Sequence, residues 1–571
     1  MLTAVLAAVV GCSLVACGTG DRHAHRHTVV AAQPGGTTVG PATTGTTASK
    51  RHPNVLVIET DDMRWDELKF MPNVRKLIEG RGLAFENSFA PYPLCCPSRA
   101  SFLTGKYAHN HHVLSHVDPF GFQAFDDRTT LATVLHGGGY QTALVGKYLN
   151  GYARQHVHGS TEPSLRYVPP GWDQWMAGSD KLFPAGDPRH GGTYNYFSMT
   201  QNINGQVVPH RGIYSTRLLA DQVQDVVGGF SKKPDPWFVW WTPVAPHFGT
   251  PHEPDDPAPV LRDDGVLGKF ATPARPRWVR GLFDGQVTHP PGIPPVGPVE
   301  SDMSDKPRYL RKLPDINVEE KAALTKVSRQ RAEALFVLDQ QIGVVLQRLQ
   351  RLGEYDDTVV AFTSDNGYYL GEHRKRVGKI LAHEPSLRVP FLIAGPGIKH
   401  GKRYDPITSI DLAPTFADYA GLKGMPDADG VSLVRTIEKG DQGWNRPVVT
   451  EGRMGDRSYV RHAPRQGFDT ALNERGVRTA RWKYVRYSTG EVELYDLKND
   501  PLELQSRQAD PAYDRVRHKL ERIWEQYYNC KGAGCAEPLP PEFRATAAQT
   551  KAITDNEFRR TRAYYVDYPL R

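Results

Sequence analysis

Four apolar runs stand out along the chain, and each stops at residues able to do chemistry. Asn54–Ile58, Thr142–Val145, Trp237–Trp241 and Thr358–Phe362 are continuous rather than alternating, and rich in β-branched and aromatic residues. Such runs predict strands buried on both faces, as in a parallel sheet covered by helices. Asp61-Asp62 follow the first run, Gly146-Lys147-Tyr148 the second, Pro246-His247 the third and Ser364-Asp365-Asn366-Gly367 the fourth. Open α/β sheets bind ligands beyond the carboxyl ends of their strands, so the four ends predict one shared site. Between Val318 and Leu352 the chain is low in Gly and Pro, and Leu335, Leu338, Ile342, Val345 and Leu349 recur at helical spacing. That pattern predicts a core-facing, structural helix ending at Gly353. Further on, Arg481–Tyr487 and Val492–Asp496 alternate around Ser488-Thr489-Gly490, a hairpin pattern, and a helix from about Tyr513 to Tyr528 follows. Pro-rich loops at 251–259 and 290–298 make a long connection of the kind used as a lid or substrate wall.

Composition sets the scale of this picture. With 571 residues, 39% of them hydrophobic, the chain can bury one large domain and a smaller one. The pattern divides it into a catalytic domain at 51–440 and a C-terminal subdomain and tail at 441–571. The net charge of +7 is scattered, without the basic stripes and aromatic platforms of a nucleic-acid binder. A mildly basic surface does favour anionic substrates. Residues 1–16 are apolar but too few to span a bilayer, and they end in Leu14-Val15-Ala16-Cys17-Gly18. This resembles a bacterial lipobox, which makes 1–17 a lipoprotein signal and Cys17 the lipidated anchor of an exported cell-surface or periplasmic protein. A plain secretory signal with an incidental cysteine is the alternative. Residues 18–50, rich in Gly, Thr, Ala and His, read as a flexible tether, with His23, His25 and His27 as solvated linker residues rather than a metal site. In an exported protein Cys530 and Cys535 are expected to pair as a disulfide.

The residues after the first and fourth runs add chemistry. Asp61, Asp62, Asp365 and Asn366 offer only oxygen ligands, which suits Ca²⁺ or Mg²⁺ better than zinc. Gathered together, the carboxylates repel one another unless a cation lies between them.

One further stretch, Leu94-Cys95-Cys96-Pro97-Ser98-Arg99-Ala100-Ser101-Phe102-Leu103-Thr104-Gly105, organises the rest. Pro97 suits a first helical turn, which puts the cysteines at the positive mouth of a helix with Arg99 beside them, a place to hold an oxyanion. The stretch resembles the sulfatase signature C-x-P-S-R followed by L-T-G. The resemblance runs over roughly Pro53 to Leu504. It is closest to the N-acetylglucosamine-6-sulfatases, through Gly105-Lys106-Tyr107, His109-Asn110-His111-His112, Gly146-Lys147-Tyr148-Leu149-Asn150, Pro169-Pro170-Gly171-Trp172 and Ser364-Asp365-Asn366-Gly367-Tyr368.

This resemblance implies an alkaline-phosphatase-like α/β fold: a large mixed, mostly parallel sheet sandwiched by helices, with a smaller C-terminal antiparallel sheet plus helix. It implies that Cys95 is oxidised to formylglycine by a formylglycine-generating enzyme and becomes the nucleophile. Calcium is implied on Asp61, Asp62, Asp365 and Asn366 together with modified Cys95. Arg99, Lys147 and Lys379 are implied as sulfate ligands, and His247 as the group near the leaving oxygen. His373, in Gly371-Glu372-His373, is a second candidate proton donor. The implied activity is hydrolysis of a sulfate ester, with 6-O-sulfated N-acetylglucosamine in a glycan as substrate. The rivals are a phosphodiesterase or phosphonate hydrolase on the same scaffold, and a lipoprotein that binds sulfated glycans without cleaving them.

Overall fold

The frame of the protein, in a computed structural model that describes residues 52–454 and 472–565, is a ten-stranded mixed sheet. The predicted signal, Cys17 and the tether lie outside the described residues. Across the sheet the strands run 401–403, 83–85, 391–394, 358–364, 54–60, 237–242, 141–146, 174–178, 198–203 and 206–211. The middle five are mutually parallel and the flanks include antiparallel pairs. We label the four predicted strands β1 (Asn54–Thr60), β2 (Gln141–Gly146), β3 (Trp237–Thr242) and β4 (Thr358–Ser364). All four are buried along their whole length, as continuous apolar runs require.

The two faces of β1 feed two separate cores. Leu56 and Ile58 pack with the helix Ser215–Phe230 and the long helix, whereas Val55 and Val57 pack with Cys95–Thr104, Leu131–Gly137 and Leu412–Tyr419. The signature stretch forms helix α1 (Cys95–Thr104), with Cys95 and Pro97 in its first turn and Gly105 closing it at φ +68°. Helix α2 (Val318–Leu352) matches the sequence prediction, ending at Gly353 with φ +73°. Its start is fixed by a reciprocal cap between Asn317 and Glu320. The five predicted apolar positions are all fully buried. The same helix also buries charge, and each charge has a partner: Arg331 donates to Glu67 at 2.6 Å, and Asp339 accepts from the N–H groups of Asn73 and Val74.

The second sheet has four antiparallel strands, Val448–Met454, Leu472–Arg478, Trp482–Tyr487 and Val492–Asp496, paired in chain order. The predicted hairpin is the last pair, and the predicted helix is observed at Asp514–Tyr527. Cys530 and Cys535 are disulfide-bonded. A final helix, Ala547–Tyr565, had no counterpart in the sequence reading, because its polar composition gives a weak apolar stripe. It is tied down by Glu557, which meets both Arg388 and Arg478. The described residues belong to one compact unit, and position 440 falls between the helix Val434–Lys439 and the strand Val448–Met454.

Leu338 is fully buried where α2 meets the sheet. Leu338→Ala is expected to cost about 2–5 kcal/mol of unfolding free energy through lost burial and a residual cavity. A urea denaturation midpoint indistinguishable from that of the parent would contradict this account of the core.

Candidate active site

Strand register builds the site. Thr60 pairs with Ser364, so the residues that leave β1 and β4 emerge side by side. The Asp365 N–H donates to the Thr60 carbonyl, the Asp62 N–H to Asp365 Oδ1 and the Met63 N–H to Ser364 Oγ. Gly146 pairs with Thr242, and the Lys147 N–H donates to the Thr242 carbonyl, which brings the end of β2 alongside. Gly146 has no room for a side chain: a Cβ would lie 2.3 Å from that carbonyl oxygen. Asp62 has φ +67°, a left-handed conformation costly for a residue other than glycine. Arg331 of α2 holds the turn by donating to the Asp62 carbonyl at 2.6 Å.

Cys95 lies at the centre. Its Sγ is 3.2 Å from Asp61 Oδ1 and 3.8 Å from Asp62 Oδ1, and the Lys379 ammonium donates to it at 2.7 Å. Lys147 Nζ contacts Asp61 Oδ2 at 2.7 Å, and Lys379 Nζ also contacts Asp62. Arg99, fully buried, forks onto Asp365 Oδ2 with Nε at 2.9 Å and Nη2 at 2.8 Å. Asn366 Nδ2 donates to Asp62 Oδ1 at 2.7 Å. His247 donates from Nδ1 to the Phe248 carbonyl at 2.7 Å, which leaves Nε2 facing Asp62 Oδ2 at 3.6 Å. The structure therefore brings together Asp61, Asp62, Cys95, Arg99, Lys147, His247, Asp365, Asn366 and Lys379.

His373 is a correction. Its Nδ1 is paired with Glu300 at 3.0 Å and its ring lies against His383, in a buried network that also holds Lys306 and Glu493. Among the described residues no hydrogen bond or ion pair joins His373 to the Cys95 cluster, so it is a structural histidine. Its proximity in sequence to Asp365 does not bring it into that cluster, because its ring is held by Glu300 and His383 instead.

The electrostatics follow from burial and mutual neutralisation. Burial pushes the Asp61 and Asp62 carboxyls up, yet the surrounding lysines and His247 hold both below the usual carboxylate range. Asp365 is raised by burial and by Asp61, in spite of Arg99. Burial, with Asp365 and Asp61 beside it, raises the Cys95 thiol well above its ordinary value, so the unmodified residue is a protonated thiol and a poor nucleophile. Burial lowers His247 despite the two carboxylates, which keeps its Nε2 an acceptor.

Two contributors were missed by the sequence reading. Glu59, on β1, sits 3.6 Å from Arg99 and accepts from Trp240 Nε1 at 3.0 Å; burial lifts its pKa to about 7. It was visible as the one charged residue inside an apolar strand. Tyr194 stacks on His247 with ring centroids 4.6 Å apart and lies under Lys147 Nζ at 5.1 Å. It comes from an irregular segment, and nothing local in the sequence singles it out.

Asp61, Asp62, Cys95 and His247 each offer a ligand atom within 4.8 Å of the others, all buried. Asp62 Oδ2 and Asn366 Oδ1 are buried oxygens without a hydrogen-bond donor. The Asp61 and Asp62 carboxylates with Asn366 Oδ1 suit a hard cation, whereas Asp365 lies outside that four-residue group, its Oδ1 taken by the Asp62 N–H and its Oδ2 by Arg99.

Parallel strand ends that gather carboxylates, lysines and a helix-mouth cysteine make a site suited to a cation and a tetrahedral oxyanion together. The sulfatase family model matches residues 53–422, and a second, described as the C-terminal part of N-sulphoglucosamine sulphohydrolase, matches 371–529. The chain is 30% identical over 537 residues to an arylsulfatase of Volvox carteri, covering 87% of this chain and 78% of that protein. It is 29% identical over 541 residues to the N-acetylglucosamine-6-sulfatase of Homo sapiens, covering 88% and 89%. A solved structure described as a complex with D-glucosamine-2-N,6-O-disulfate shares the fold, with a TM-score of 0.59, 20% identity, and coverage of 83% of this chain and 97% of that one. The chain belongs to the sulfatase family and is a sulfuric ester hydrolase. Its fold is the alkaline-phosphatase-like α/β fold expected from the sequence.

Arg99→Lys keeps a positive charge but loses the fork onto Asp365. It is expected to lower kcat/KM for an aryl sulfate by about 100-fold, the scale of losing one oriented charge-stabilising contact. Retention of activity within a factor of about three would show the fork to be dispensable.

Proposed function

We propose that this protein removes sulfate from 6-O-sulfated N-acetylglucosamine or a related glycan sulfate, using a formylglycine made from Cys95. The observation that carries the reading is the position of Cys95 Sγ, held between Asp61 Oδ1 and Lys379 Nζ at the mouth of α1. A buried, protonated thiol cannot serve as the nucleophile, whereas its oxidation to an aldehyde supplies, as the hydrate, two hydroxyls on one carbon. The host must provide the formylglycine-generating enzyme. Asp61, Asp62, Asp365 and Asn366 are the residues that would hold Ca²⁺, with Mg²⁺ as the alternative. When bound, such an ion supplies Lewis acidity beside residue 95.

The chain's own residues account for the rest. Lys147 and Lys379, compact cations now paired with Asp61 and Asp62 beside Cys95, are the groups that would meet the oxygens of an arriving sulfate. Arg99, locked by Asp365 and the Lys147 carbonyl and backed by Glu59, holds its charge one helical turn from residue 95. His247 is held by Phe248 and Tyr194 with Nε2 beside Asp62; to assist the leaving oxygen as an acid, Nε2 must first take up a proton. Phe248, 44% exposed and stacked on His247, offers an apolar platform for the sugar. The N-acetylglucosamine-6-sulfatase relative supports the sugar assignment. For location, we infer export and anchoring through Cys17 from the lipobox-like sequence alone.

Mass spectrometry of the peptide containing residue 95 tests the modification: formylglycine makes it about 18 Da lighter than the cysteine form. Active protein with an intact Cys95 thiol would overturn the reading. Cys95→Ser is expected to trap or abolish turnover, and undiminished activity in that variant would equally sink it. Higher turnover of an aryl phosphate diester than of an aryl sulfate would favour the phosphodiesterase rival.

Treatment with a chelator is expected to abolish activity, with full recovery on adding Ca²⁺ and no change in the mass at residue 95. Activity that persists after the metal content has been brought to zero would exclude the assignment of Asp61, Asp62, Asp365 and Asn366.

A further inference from the structure

Lys147 and His247 reach the reaction centre from two different strand ends, those of β2 and β3, and one short segment touches both. Residues 194–196 run beside the loop that carries His247. Asn195 bridges in parallel to Thr250, the Thr250 N–H donates to the Tyr194 carbonyl at 2.9 Å, and the Tyr196 N–H donates to the Thr250 carbonyl at 2.8 Å. In extended pairing of this kind residues two apart share a face, and Tyr194 and Tyr196 both meet His247. Tyr196 Oη donates to the His247 carbonyl at 2.6 Å, while the Tyr194 ring lies against the imidazole with centroids 4.6 Å apart. Gly249 permits the approach, since a Cβ there would lie 2.4 Å from the Tyr194 carbonyl oxygen. One segment therefore grips both the backbone and the ring of His247.

Tyr194 also reaches across to the end of β2. Its ring lies 5.1 Å from Lys147 Nζ, and its hydroxyl accepts from Asn150 Nδ2 at 2.6 Å. The phenol is thus tied at its face and at its tip to the stretch that leaves β2, and at its edge of contact with the imidazole to the loop that leaves β3. A cation over an aromatic face is held by the quadrupole of the ring, and a second ring packed on it is held by contact area. Neither effect needs the hydroxyl.

Both partners lack a fixed direction of their own. Lys147 carries a compact ammonium on a long chain, unlike the forked Arg99, and its other attachment is the Asp61 carboxylate at 2.7 Å. An aromatic wall limits where Nζ can go without adding a carboxylate that would compete with an anion for the charge. His247 has one ring hydrogen bond, from Nδ1 to the Phe248 carbonyl, and a single bond does not set the plane of an imidazole. Phe248 stacks on it at 4.2 Å but belongs to the same loop and moves with it. Tyr194 supports the ring from outside that loop.

We propose that Tyr194 is a positioning residue for the sulfatase reaction: its ring sets Lys147 and His247 relative to one another, so that the lysine meets the sulfate oxygens while the histidine stands by the leaving oxygen. The proposal rests on the roles that the sulfatase reading gives those two residues, and Tyr194 acts only through them. The hydroxyl, on Asn150, anchors the ring.

The test uses the full chain with Tyr194→Leu, which keeps bulk without an aromatic face, and Tyr194→Phe, which keeps the face and loses the bond to Asn150. Preparations are matched for the modification at residue 95 by peptide mass. Rates are measured on aryl sulfates of graded leaving-group acidity, together with inhibition by inorganic sulfate. Tyr194→Leu is expected to lower kcat/KM roughly 30-fold, the scale of one cation–π contact and one ring stack together. The loss should grow as the leaving group becomes less acidic, where His247 matters most, and the inhibition constant for sulfate should rise through Lys147. Tyr194→Phe should recover activity to within about threefold of the parent. Equal kcat/KM in parent and Tyr194→Leu overturns the proposal, as does a Tyr194→Phe variant as impaired as Tyr194→Leu. A loss uniform across leaving groups with sulfate inhibition unchanged would make Tyr194 merely structural and overturn it too. If the parent hydrolyses none of these esters, it is the sulfatase reading that has failed, and the proton–nitrogen spectrum of histidine-labelled protein, with His247 assigned from His247→Asn, still decides the placement of the ring. His247 signals shifted in Tyr194→Leu and restored in Tyr194→Phe would then support the proposal, and signals that coincide in parent and Tyr194→Leu would overturn it.

Discussion

The structure depends on one electrostatic bargain made at the edge of a parallel sheet. Three carboxylates, Asp61, Asp62 and Asp365, leave neighbouring strand ends and are buried together. Alone they would be strongly destabilising, since burying an unpaired charge is among the most costly changes a protein can make. Arg99, Lys147 and Lys379 offset that cost, each from a different part of the chain: the signature helix, the end of β2 and the loop beyond β4. The same six charges make a site complementary to both a cation and an anion, so the arrangement that permits burial also specifies the chemistry.

The rest of the fold holds this arrangement in place. Pairing of Thr60 with Ser364 sets the relative height of Asp61-Asp62 and Asp365-Asn366, and a one-residue slip would turn each to the opposite face. Helix α2 was expected to be a packing element only, yet it also contributes Arg331 to the Asp62 carbonyl. The C-terminal sheet is joined to the catalytic side by a second buried network. Glu384 meets Arg478 and Lys483, Lys483 meets Glu503, and Glu557 of the last helix meets Arg388 and Arg478. His373 belongs to a neighbouring part of this scaffold, through Glu300, rather than to the reaction.

The legibility of the site in the sequence follows from which interactions are local. The strands were readable because both faces of each are buried, which leaves an uninterrupted apolar run ending at the first polar residue. The signature helix was readable because a proline in its first turn and Gly105 at its end are local requirements. Glu59, Tyr194 and Arg331 were not, since each matters through a partner distant in sequence. His373 misled for the same reason in reverse: nearness along the chain was taken for nearness in space. The lysine Lys379 was found only through resemblance, because the loop that carries it has no periodic pattern.

That loop shows why propensity gives so little information here. His373, Arg374 and Ile380 all have positive φ, at +52°, +57° and +93°, and none is glycine. Each such residue costs on the order of 1–3 kcal/mol, and Ile380 is the most strained because its side chain is β-branched. The conformation is sustained from outside: the Ile380 N–H donates to the Pro93 carbonyl, Tyr369 bridges to Gly378, and Arg376 is anchored on Glu320. Strain imposed in this way holds the loop in the shape that presents Lys379 to Cys95. A change in the backbone of this loop is therefore expected to displace Lys379 from Cys95.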